Sequence, residues 1–155
     1  MNEQLLETWQ INNRINLYLL NAIKEEWLVD LPVSQGRNVG EQFGHIHSVR
    51  LMWIKSSVPA LLKGLDKIDK ETGVKKNRLQ KNMEASSELI LNLLEEVLIV
   101  GKVKGFNPHP GAFLGYLLAH EAHHRGQIMV TLKENKHLKD KKRGLCTLAV
   151  GVPVK

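Results

Sequence analysis

A single cysteine, Cys146, stands among 155 residues. One thiol cannot build an internal disulfide framework or a zinc site made of several thiolates, and a reducing cytoplasm is the expected location. Long uncharged apolar runs are also missing. A helical membrane span needs roughly 20 such residues, and no segment offers them. The first thirty positions carry Glu3, Glu7, Glu25, Glu26 and Asp30, so they read neither as a span nor as a signal peptide. Aromatic residues are absent from the most basic tract, residues 133–143 (KENKHLKDKKR), where six Lys or Arg stand against Glu134 and Asp140, a local balance of +4 within a net charge of +6. Without rings to stack on bases, such a run reads as a solvated helix end or loop, and nucleic-acid binding is not expected.

What the chain does have is helical periodicity. With 43% hydrophobic residues, a chain of this length fills one core, so a single domain over residues 1–155 is expected. From Leu5, the apolar positions Trp9, Leu19, Ala22, Ile23 and Trp27 predict a first helix that runs until Asp30-Leu31-Pro32 stops it. Asn38, with Glu41 three residues on, forms a capping-box signal. The second helix follows with Val39, Phe43, Ile46, Val49, Trp53 and Ile54 inward, out to about Gly64. A third runs from about Asn77 to Gly101 with Leu79, Met83, Ile90, Leu94 and Val97 inward. The stretch GKVKGFNPHPG is a loop by its glycines and prolines, and a fourth helix opens near Gly111 and reaches about Lys136.

Four amphipathic helices of similar length predict an all-α four-helix bundle over about residues 1–136. A basic tract and a tail, residues 137–155, follow it. The segment between helices two and three, LDKIDKETGVKKN, can reach on the order of 40 Å when extended, about the length of a 25-residue helix, which permits a long crossover. Residues 144–155 (GLCTLAVGVPVK) are rich in β-branched residues and are expected to form a terminal strand or a cover. Cys146, with no helix start or histidine beside it in sequence, reads as structural.

Three of the seven histidines fall in HEAHH, residues 120–124. On the fourth helix, Phe113, Leu117, His120, His124 and Ile128 make one inward stripe, and a histidine pair one turn apart can converge on a single divalent ion. His123 points to the neighbouring face. His45 and His47, in GEQFGHIHSVRLMW, lie in the first half of the second helix, and either can supply a third ligand across the bundle. The string also fits H-E-x-x-H, with Glu121 as the base of a metalloprotease. The extended protease motif needs Gly at 127 and His at 130, where this chain has Gln127 and Val130, so that reading is disfavoured. Glu121 is expected on the helix surface, and Arg125 and Gln127 are candidates to orient a ligand or a neighbouring subunit.

LGYLLAHEAHHRGQIMVTLK resembles the last bundle helix of the DinB-like family, which includes the YfiT-type metal-binding proteins, and NVGEQFGHIHSVRLMWI is similar to its second helix. The resemblance implies a four-helix bundle with a long crossover between helices two and three, often homodimeric. It also implies a divalent metal held by one helix-two histidine and an H-x-x-x-H pair. Carried over, the ligands are His45, His120 and His124. His45 is preferred to His47 because the family's histidine precedes a tryptophan by two turns, as His45 precedes Trp53. Zinc or nickel is the implied metal, with an open position where a thiol or water is activated. The implied activity is that of a thiol S-transferase or hydrolase acting on a small molecule, with a low-molecular-weight thiol as co-substrate. A non-catalytic, stress-related metal-binding or interaction module is the alternative. Family members often end in a Leu-Trp-x-Trp segment that packs on the bundle, whereas this chain ends RGLCTLAVGVPVK.

Overall fold

The computed structural model describes residues 2–62 and 75–138. Four α-helices make up most of them: α1 (Asn2–Ala22), α2 (Val39–Ser57), α3 (Lys76–Val100) and α4 (Pro110–Glu134). No strand occurs among the described residues beyond an isolated bridge between Val103 and Phe106. Cys146, the tail expected as a strand or cover, and residues 63–74 of the connection between α2 and α3 lie outside them.

Two helix ends differ from expectation, each for a local reason. Instead of running through Trp27, α1 stops at Ala22 and a 3₁₀ turn takes over at Glu25–Val29. The Lys76 ammonium donates to the carbonyls of Asn21 and Ile23 at 2.8 and 2.6 Å, and so occupies acceptors that a continuing helix would need. Trp27 then stacks on His137 with ring centroids 4.3 Å apart. At the other end of the bundle, α2 stops at Ser57 rather than near Gly64. Pro59 has no amide hydrogen and disfavours helical geometry at the residue before it; Val58 is non-helical, with φ −139° and ψ 72°.

The remaining boundaries follow their signals. The Asn38 side chain accepts from the Glu41 amide at 2.7 Å and Glu41 accepts from the Asn38 amide at 2.9 Å, closing the capping box of α2. Gly101 ends α3 in the left-handed region, φ 77°. Pro110 opens α4 behind His109, whose Nδ1 accepts from the Ala112 amide.

In the bundle, α1 and α2 each pack against α3 and α4, and so stand diagonally opposite one another. Two apolar clusters occupy its ends. One joins Trp9, Ile54, Leu94, Val97, Phe113 and Leu117; the other joins Leu19, Leu20, Val39, Phe43, Leu79 and Ile128. The early residues of α2 and α3 share the second cluster and their late residues share the first, so these two helices run in the same direction. Between the clusters lies a layer of buried polar side chains, among them Asn12, Asn16, His47, Arg50, Ser86, Glu121 and His124. His47 and His124 belong to this middle layer.

Candidate metal site

His45 on α2 faces His120 and His124 on α4. Their ring centroids are 4.6 Å (His45 to His124), 5.4 Å (His45 to His120) and 4.5 Å (His120 to His124) apart. One nitrogen from each ring lies within 4.8 Å of the other two, a group that could hold a metal ion. The Nε2 atoms of His120 and His124 are 3.1 Å apart. Two imidazole nitrogens on a tetrahedral ion, each bonded at 2.0–2.1 Å, would be roughly 3.3–3.4 Å apart, so this pair is spaced for ligation. His47 is fully buried and outside the group. Positions two apart on a helix are turned by roughly 200°, which lets only one of the two α2 histidines face α4.

The histidines are also in the right chemical form. The His124 Nδ1 lies 2.7 Å from Oε1 of buried Gln42. An amide oxygen only accepts, so Nδ1 carries the proton and Nε2 presents its lone pair towards His120. Burial foremost, followed by the neighbouring positive groups His120, His45, His123 and Arg37, pushes the His124 pKa down to about 4. Burial likewise lowers His45 and His120. Neutral imidazole is the ligating form, and these shifts preserve it at neutral pH without competition from a proton.

Glu121 is not on the helix surface. Its side chain is 1% exposed and paired with Arg50, with Nε to Oε1 at 2.7 Å and Nη2 to Oε2 at 2.9 Å. The amides of Asn12 and Asn16 donate to Oε2, each at 2.6 Å. Burial alone would raise the Glu121 pKa, but the Arg50 charge and these hydrogen bonds outweigh it and hold the carboxyl below its usual range. Arg50 also donates to Asn13 Oδ1 and the Met83 carbonyl at 3.0 and 2.9 Å, and its guanidinium lies over the Trp9 ring. A carboxylate so committed cannot take a proton from a nucleophile among the histidines, which removes the base from the metalloprotease reading.

Arg125 turns inward, donating to Asn12 and Asn16 Oδ1 at 2.9 and 2.7 Å. Gln127 instead donates to Nε2 of exposed His123 at 3.0 Å. Sequence reasoning missed Arg50, Asn12, Asn13 and Asn16, and also the support that Gln42 gives His124. A signal for the asparagines was there. The apolar stripe of α1 has a nine-residue gap between Trp9 and Leu19, and Asn12 and Asn16 occupy its helical steps.

The sequence pattern of the DinB family matches residues 1–135. The chain belongs to the DinB family. A DinB-like protein from Bacillus cereus, seen in a crystal structure, has the same fold: it is 18% identical, the TM-score is 0.68, and the match covers 86% of this chain and 92% of that one. No curated protein matches. In this DinB-family chain, no helix among the described residues is long and apolar enough to cross a membrane.

Proposed function

We propose that this DinB-family protein is a divalent-metal-dependent enzyme whose metal is held by His45, His120 and His124. The observation that carries the reading is the approach of the two Nε2 atoms to 3.1 Å, with His124 oriented from behind by Gln42. When bound, zinc or nickel on three neutral imidazoles keeps a position open and lowers the pKa of a thiol or water placed there. The reaction class is attack of that nucleophile on a small electrophile, as in a thiol S-transferase or a hydrolase. A low-molecular-weight thiol, a homodimeric state and a cytoplasmic location belong to the same reading.

The protein's own groups have separable tasks in it. Gln42 fixes the His124 tautomer, and burial keeps all three rings neutral. Glu121 and Arg50 neutralise each other away from the reacting atoms. Elemental analysis of protein purified without a polyhistidine tag tests the proposal. Near-stoichiometric metal is expected in the unaltered chain and in His47→Ala, with loss in His45→Ala, His120→Ala and His124→Ala. A protein that is metal-free and cannot be loaded with Zn²⁺ or Ni²⁺ would overturn the reading in favour of a non-catalytic module.

A further inference from the structure

A groove of 340 Å³ opens between the segment entering α2 and the second half of α4. Pockets that enclose small ligands run from about 300 to 1,000 Å³, so its capacity suits a molecule the size of an amino-acid derivative or a short peptide. Its walls include Arg37, Gln42, His123, Gln127, Thr131 and Glu134. The three clustered histidines are not among them, but the groove adjoins them in two ways. Gln42 lines it and also holds His124 Nδ1, and the ring of His123 is 5.2 Å from that of His124.

The charges in the groove are of opposite sign and sit on different elements. Arg37, just before α2, is exposed and has no carboxylate partner among the described residues. It stands close enough to the cluster for its positive charge to act on His45, His120 and His124, adding to the larger effect of burial. Glu134, in the last turn of α4, accepts from the Val33 amide at 2.9 Å through Oε2. A guanidinium suits a carboxylate or similar acid group. A second negative charge on the ligand would be repelled by Glu134, whereas an ammonium would be attracted.

We infer that this groove binds a small dipolar molecule, with its acid group on Arg37, its amino group towards Glu134 and its middle against Gln42 and His123, beside the three-histidine cluster. The inference goes beyond the metal-enzyme reading, since the groove takes none of the three histidines into its lining and meets His124 only through Gln42 and His123. Its binding chemistry stands apart from the metal. Because Gln42 touches both the groove and His124, a ligand that fixes the Gln42 amide also favours the His124 tautomer that ligates. By reciprocity, metal then strengthens ligand binding as much as ligand strengthens metal binding.

Calorimetry on untagged, metal-free protein tests this with ω-amino acids of increasing chain length as probes, and with the matching fatty acids and alkylamines as controls. One amino acid of the series is expected to bind better than its fatty acid and its amine. Arg37→Ala should weaken it about tenfold, the loss of one charge-assisted contact, with partial rescue by Arg37→Lys. Glu134→Gln keeps an oxygen for the Val33 amide, so it should erase the preference for the amino acid over the fatty acid while leaving the fatty acid no weaker. Equal binding by the unaltered protein and Arg37→Ala, a preference untouched by Glu134→Gln, or no binding across the series would each overturn the inference. Because the metal-free protein is used, none of these results depends on whether the histidines retain metal, and metal retention without probe binding sinks the groove alone.

Discussion

Arg50 on α2 and Glu121 on α4 meet in two parallel contacts at 2.7 and 2.9 Å, and the side chains are 0% and 1% exposed. Two charges taken out of water lose hydration worth several kcal/mol each, which only close geometry and further hydrogen bonds offset. Asn12, Asn13 and Asn16 of α1 and the Met83 carbonyl of α3 supply those bonds.

Removing one member of the pair leaves the other charged and dry. Glu121→Leu is therefore expected to lower the unfolding free energy by about 3–5 kcal/mol, and Arg50→Met by a similar amount. The double variant should lose much less than the sum of the two. Urea denaturation of the three variants measures this; strict additivity would mean that the charges act independently of each other.

Acid should act through the same carboxylate. The folded-state pKa of Glu121 is held below the unfolded value, so its contribution is fully present above the unfolded pKa of about 4.3 and disappears as the pH falls through the lower folded value. The expected result is a shallower acid limb for Glu121→Gln than for the unaltered protein between about pH 5 and pH 3. Parallel limbs in urea midpoints taken across that range would count against the shift.

Gln42→Leu keeps the side-chain volume near that of the amide and removes the acceptor behind His124. Loss of such support typically weakens metal binding 10- to 100-fold. Competition against a chromophoric chelator should show a weakening of about that size, with the urea midpoint of the metal-free protein moved by no more than about 1 kcal/mol equivalent. A large stability loss with unchanged metal affinity would assign Gln42 to packing instead.

Gly101 ends α3 at φ 77°, where an added Cβ would meet nothing within 4 Å. Any cost of Gly101→Ala is thus conformational, and about 1 kcal/mol is expected. Gly101→Asn should recover part of it, because asparagine tolerates the left-handed region better. Thermal unfolding of both variants gives the comparison.

The helices and the histidine group were legible in the sequence because each rests on local spacing. Asn38 and Glu41 announce α2, Gly101 closes α3, and the four-residue step from His120 to His124 is a property of any helix. The buried polar layer was not legible, since each member alone resembles a surface residue. Glu121 follows His120 directly, so spacing alone turns it away from the ligand stripe, yet α4 packs against all three other helices and its interior arc is wide enough to take in both. Arg50 falls one turn after Ile46 and one turn before Ile54, a core position by spacing that its charge disguises. The end of α1 depended on Lys76, which is distant in sequence and whose reach no local pattern encodes.

Arg50 also bears on the order of assembly. Its guanidinium bonds to side chains or backbone of the other three helices and lies over the Trp9 ring. A pair or trio of helices would lack part of this network and leave the guanidinium partly to water, so the network favours the complete bundle over partial ones. Folding should therefore close in one concerted event, with α4 unable to dock stably until α1 brings its asparagines to Glu121.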